Sequence, residues 1–124
     1  MEGIRGAAII GDINMFNYLI KLYKETPTSY IYEAAKNGKI DFIKKTLNIQ
    51  SKKKQKEELK LAIQNMLVTP NYLSEEESEK VFRFLLDMYL ALDGKRKKVF
   101  KYMSIQDIRN KNLIKILKEY SFKI

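Results

Sequence analysis

The side chains of this chain that could carry chemistry are carboxylates, lysines and tyrosines, because the sequence contains no histidine and no cysteine. Imidazole bases, thiolate nucleophiles, disulfides and the usual zinc ligand sets are therefore excluded. The densest acidic group is Glu75, Glu76, Glu77 and Glu79. Neighbouring residues on a helix point in different directions, so these carboxylates would not converge, and the helix dipole explains acids at a helix start. We predict that the protein is not an enzyme and uses no metal, cofactor or small-molecule substrate.

The lysines are the more promising group. The chain has a net charge of +9, and residues 51–124, with seventeen basic and ten acidic side chains, carry +7 of it. A charge of that sign favours anionic partners. Two basic runs dominate this part of the sequence: Lys52, Lys53, Lys54 and Lys56, and then Lys95, Arg96, Lys97, Lys98 and Lys101. We predict that the first run lies in a loop and the second at a helix start, where cations oppose the helix dipole.

The elements that would hold these residues follow from an internal repeat. Residues 7–20 and 34–47 share the pattern Ala-Ala-x-x-Gly-x-Ile, followed by a short polar residue and two apolar ones, at an offset of 27 residues. Paired alanines let a short helix approach its neighbour closely, and the glycine supplies the left-handed conformation that ends that helix. The polar residue then favours the start of a second, antiparallel helix. The pattern predicts consecutive helix pairs.

This pattern resembles the ankyrin repeat over residues 2–47. In the second unit Ala34, Ala35 and Gly38 match the family, while Ser29, Ile31 and Tyr32 stand at its threonine, leucine and histidine positions. The 27-residue offset is shorter than the usual ~33, which implies that the turn between helix pairs is trimmed or absent. The resemblance implies an α-solenoid that recognises proteins, with contact residues on its concave face. Four residues are expected there: Arg5, Tyr30, Tyr32 and Lys36.

The rest of the chain continues the helical period without the glycine. Ala62 follows Ala34 by 28 residues within a short apolar helix, and Ser74 with Glu77 predicts the capping box of a long helix that ends at Asp93 and Gly94. We therefore predict a single all-α domain over residues 1–124, an ankyrin-like α-solenoid of about four antiparallel helix pairs. Its units are roughly 2–26, 27–50, 56–92 and 95–124.

Two functional hypotheses remain open at this point. The first is a scaffold that docks on another protein or a large assembly through the concave face. The second is an RNA- or ribosome-associated factor, because connections of one kind recur on one edge of a solenoid and would join both lysine runs into a strip facing phosphates. Neither a signal peptide nor a membrane span is evident, so we expect a cytoplasmic or otherwise intracellular protein. The apolar tail that begins at Tyr120 either folds back onto the core or inserts into a partner.

Overall fold

The computed structural model describes residues 2–24 and 30–123, and within these ranges the chain forms helices and no strand. The predicted all-α class is therefore confirmed. None of the helices in these ranges is long and apolar enough to cross a lipid bilayer. The helices are α1 (Glu2–Ile10), α2 (Ile13–Tyr23), α3 (Tyr30–Lys36), α4 (Ile40–Asn48), α5 (Lys52–Val68), α6 (Glu75–Ala91), α7 (Arg96–Val99) and α8 (Ile114–Glu119), with short 3-10 turns at Ile105–Asp107 and Lys111–Leu113.

The two sequence repeats form the same turn. Gly11 and Gly38 both adopt left-handed backbone conformations, with φ of 78° and 73°, and they end α1 and α3 as predicted. The residue after each glycine donates its amide hydrogen to the carbonyl of the first alanine of the pair. These bonds are Asp12 N to Ala7 O (2.9 Å) and Lys39 N to Ala34 O (3.0 Å). Ser29 and the predicted boundary between the first two units lie outside the described residues.

Small residues bring the helices of the core together. α1 packs on α2 and α3, α3 packs on α4 and α5, and α5 packs on α6 and α7, while α2 also contacts α4. Ala8, Ala35 and Ala62 lie in α1, α3 and α5 and are fully buried. A methyl side chain at each position allows this close approach. Phe16 of α2 is also fully buried, and its ring lies edge-on to that of Phe42 with 4.9 Å between centroids.

The start of α5 differs from the prediction. The lysines at positions 52–56 were expected in a loop, but α5 begins at Lys52, and Ser51 is its N-cap, accepting a hydrogen bond from the Lys54 amide at 3.3 Å. Capping by Ser51 starts the helix even though the first turn contains lysines. Three residues, 49–51, separate α4 from α5, so the connection is short there. The capping of α6 by Ser74 is confirmed, since its hydroxyl accepts from the Glu77 amide at 3.1 Å.

The C-terminal segment is tied to α5 and α6. The Asn110 side chain donates to the carbonyls of Met66 and Thr69 at the end of α5. The tail folds back, because Phe122 is buried and lies edge-on to Phe100 with 6.0 Å between centroids. The helices of this region are short, since α7 is a single turn and α8 has six residues.

Candidate functional site

The structure brings the two basic runs together in one place. Lys53 and Lys56 of α5 line a cavity of about 420 Å³ with Lys95 and Lys98, which belong to the second run. The sequence separates these pairs by about forty residues, and the packing of α7 on α5 joins them. We refer to this cavity as the lysine pocket.

A fifth lysine of the pocket was missed by sequence reasoning. Lys60 also lines the cavity, and its ammonium lies 3.2 Å from the Glu57 carboxylate. Residues 53, 56 and 60 are spaced by three and four and therefore share one face of α5. Because Lys53 and Lys56 were predicted in a loop, their helical spacing from Lys60 was not considered. It indicates a shared face only when the helix begins at Lys52. The lining thus holds five lysines against two carboxylates, those of Glu57 and Asp93.

Tyr89 and Gly94 form the wall of the lysine pocket and position Lys95. The buried Tyr89 hydroxyl donates a hydrogen bond to the Lys95 carbonyl at 2.8 Å, and burial raises the pKa of Tyr89. A Cβ atom at Gly94 would lie 2.5 Å from the Tyr89 ring, a distance that requires the ring or the backbone to move. Glycine at position 94 thus lets the backbone cross the ring and places Lys95 beside α5.

The remaining residues of the basic runs lie elsewhere. Lys52 and Lys54 are in the first turn of α5 but do not line the lysine pocket. Arg96 and Lys97 line a second cavity of about 430 Å³, together with Phe100, Phe122 and Lys123. We refer to it as the α7 cavity.

Two contacts fix side chains of the second run. The Arg96 Nε donates to the Tyr120 carbonyl at 2.8 Å, and its guanidinium lies 5.7 Å from the centroid of the Phe122 ring. The Lys101 ammonium lies 5.3 Å from the centroid of the Tyr102 ring, and Tyr102 is 86% exposed. Cations placed over aromatic faces at these distances interact favourably with them.

Three of the four residues predicted for the concave face lie together. Arg5 of α1 lies 3.6 Å from the Glu33 carboxylate, and the Lys36 ammonium lies 5.8 Å from the centroid of the Tyr32 ring. Burial and the adjacent Glu33 carboxylate raise the pKa of Tyr32. We refer to Arg5, Tyr32, Glu33 and Lys36 as the α1–α3 patch. The fourth residue, Tyr30, packs instead against Phe16 at 5.6 Å between ring centroids.

The exposed apolar surface of α2 was also missed. Met15, Tyr18 and Leu22 are 47%, 62% and 55% exposed and are spaced by three and four residues. They lie roughly 100–160° round the helix from Phe16, which faces α4. The sequence pattern of α2 fits a core helix because nearly every position is apolar. The structure buries only the Phe16 side of it. We refer to Met15, Tyr18 and Leu22 as the α2 stripe.

The carboxylates are distributed as the sequence predicts for a helix start. Glu75, Glu76 and Glu77 occupy the first turn of α6. Glu79 lies 2.9 Å from Lys115, and its hydrogen bonds with Lys115 and Asn112 lower its pKa. Within the part of the chain that the structure describes, no three potential metal ligands come together.

Comparisons with protein-family models, with curated proteins and with solved structures give no match for this chain. Its surfaces must therefore supply the functional argument.

Proposed function

We propose that this chain is a non-enzymatic binding module, a short ankyrin-like solenoid of about four helix pairs that docks on a larger protein partner. The repeated turn at Gly11 and Gly38 supports the repeat interpretation, because the same hydrogen bond closes both turns. The packing order supports it too, since α1, α3, α5 and α7 each contact the next of these helices. In such a stack, each helix pair buries its apolar face against its neighbour.

The α2 stripe is the observation that carries the protein-binding proposal. Ten large apolar residues are exposed in the described part of the chain, and five of them lie between Ile10 and Tyr23. Such a concentration of exposed apolar side chains is typical of an interaction site. The partner we propose presents an apolar helical surface, because the spacing of Met15, Tyr18 and Leu22 matches the ridges of a packed helix.

The α1–α3 patch would add polar contacts to this interface. Arg5 and Glu33 offer charges of both signs, and Tyr32 offers a partly exposed aromatic surface. Arginine and tyrosine are enriched among the residues that dominate binding energy at interfaces. In this proposal the α2 stripe supplies affinity and the α1–α3 patch supplies orientation.

The test is affinity isolation of the tagged protein from its native lysate, at about 0.15 M and about 0.5 M salt, with and without nuclease. Tyr18→Glu is compared with Tyr72→Glu, which makes the same exchange at a tyrosine that is 82% exposed and lies outside the stripe. We expect a protein that resists both treatments and is lost with Tyr18→Glu alone.

Two outcomes contradict the proposal. Equal retention of every protein by the two variants would show that the α2 stripe does not bind a partner. Self-association of the purified chain that disappears with Tyr18→Glu would assign the stripe to a second copy instead of a different protein.

A further inference from the structure

The lysine pocket gathers charge that its own lining does not neutralise. Five lysines from α5 and from the segment around α7 face one concavity, and Glu57 and Asp93 offset two of the five charges. Lysines at such positions repel one another, and that repulsion diminishes when an anion binds between them. The arrangement therefore favours an anionic ligand.

The starts of α5 and α6 show that Lys53, the pocket lysine in the first turn of α5, is placed against local preference. Both helices have 17 residues and a serine N-cap, but the first turn of α6 holds Glu75, Glu76 and Glu77, whereas the first turn of α5 holds three lysines. Acids at a helix N-terminus are stabilising and cations are not. A local rule broken in this way, beside a concavity lined by the same helix, indicates a functional demand on the charge.

From these observations we infer that the lysine pocket binds backbone phosphates of single-stranded RNA without reading its sequence. Lysine ammonium groups are point charges suited to phosphate oxygens, and they lack the planar fork with which arginine reads base edges. This inference goes beyond the proposed protein docking and does not depend on it, because the α2 stripe and the lysine pocket share no residue.

The α7 cavity favours an extended strand over a single phosphate as the ligand. Lys95 and Lys98 face the lysine pocket, while Arg96 and Lys97 face the α7 cavity, so two basic concavities flank one helical turn. A strand that crosses this turn can place phosphates in both. Tyr102, highly exposed next to Lys101, offers a ring on which an unpaired base can stack.

The experiment measures binding of a fluorescent oligouridylate of about 15 nucleotides by fluorescence anisotropy, between about 0.05 and 0.3 M salt. For single strands, the logarithm of the affinity falls with the logarithm of salt by about 0.7 per phosphate contact, so four or five contacts predict a slope of about −3. Each lysine removed should reduce the slope by about 0.7 and weaken binding about fivefold near 0.1 M salt.

The variant is Lys53→Gln/Lys98→Gln, which removes one exposed lysine of the pocket from α5 and one from α7. The matched control is Lys45→Gln/Lys118→Gln, which makes the same change of net charge at exposed lysines of α4 and α8 that line neither cavity. We expect the variant to lose about 25-fold in affinity and the control to lose severalfold less. Neither should melt below the wild type, because all four lysines are exposed.

Four results would overturn the inference. The first is no binding of the oligouridylate near 0.1 M salt, and the second is an equal loss in variant and control, which would mean diffuse attraction. The third is binding of polyglutamate as tightly as RNA, with the same loss in the variant. The fourth is binding of vesicles of phosphatidylserine and phosphatidylcholine as tightly as RNA, again with the same loss in the variant. If RNA binds as expected, gradient fractionation of a lysate separates ribosomal from free RNA as the source of the phosphates.

Discussion

Replacing a lysine in the first turn of α5 by glutamate should stabilise the protein, which is the opposite of what most substitutions do. Ser51 is the N-cap, so Lys53 and Lys54 occupy the second and third helical positions. A negative charge there interacts favourably with the helix dipole. At position 54 glutamate also recreates the Ser-x-x-Glu arrangement that Ser74 and Glu77 form at the start of α6.

The expected gain is about 0.3–1 kcal/mol for each substitution at low salt, because both positions lie within the first turn. Lys54→Glu should be at the upper end, since its carboxylate can accept from the Ser51 amide. For a chain of 124 residues, 1 kcal/mol corresponds to about 4 °C in melting temperature. We therefore expect increases of about 1–4 °C, which shrink as salt is raised.

The assay pairs thermal denaturation, followed by circular dichroism, with the RNA-binding measurement. Lys53→Glu removes a lysine of the pocket, so it should raise stability and weaken RNA binding. Lys54 lies outside the pocket, so Lys54→Glu should raise stability. Its loss of RNA affinity should be no greater than that caused by the same change of net charge elsewhere on the surface. If both variants melt below the wild type, the lysines stabilise α5 and the argument from the dipole is wrong.

Substitutions at three positions, Tyr89, Thr46 and Phe16, test the pocket wall and the core. Tyr89→Phe should cost about 1 kcal/mol in urea denaturation at neutral pH, because the Lys95 carbonyl loses its donor. Burial raises the folded-state pKa of Tyr89, so the free energy of unfolding of the wild type should fall as pH rises through that pKa. Tyr89→Phe should show a smaller fall between neutral and strongly alkaline pH. Thr46→Val should raise unfolding free energy by about 1 kcal/mol, because the buried Thr46 hydroxyl has no hydrogen-bond partner among the described residues, whereas Thr46→Ser should not. Phe16→Ala should cost about 3–5 kcal/mol by the same measurement, and a loss below 1 kcal/mol would contradict the packing with Phe42.

The helical architecture follows from the sequence where local chemistry decides it. Gly11 and Gly38 end their helices in the left-handed conformation. Glycine adopts this conformation easily because it has no Cβ atom, which disfavours it in other residues. Ser74 starts α6 because its hydroxyl satisfies an amide that would otherwise lack a partner. Both signals act within four residues, so the sequence alone predicts them.

Exposure is harder to predict because it depends on which helices pack together. Met15, Tyr18 and Leu22 repeat with the period of a core helix, yet they are exposed, since only the side of α2 that carries Phe16 faces other helices. The lysine pocket illustrates the same difficulty in part. The prediction that the two basic runs share one edge places the first run in a loop, but Lys53 lies in α5, and the packing of α7 on α5 brings Lys98 to it. The contribution of Lys60 becomes visible only when α5 begins at Lys52.

The positions of the two proposed surfaces bear on how the protein would act. The α2 stripe belongs to the first helix pair, whereas the lysine pocket lies between α5 and α7, and no residue is common to both. Neither ligand therefore has to displace the other from its contacts. Their salt dependence also differs, because the apolar stripe resists salt and the lysines do not. If both proposals hold, Tyr18→Glu should abolish protein binding while RNA binding persists, and Lys53→Gln/Lys98→Gln should do the reverse. A protein partner lost with Lys53→Gln/Lys98→Gln but retained by Tyr18→Glu would instead mean that RNA bridges it to this chain, and nuclease treatment of the isolated complex would then release it.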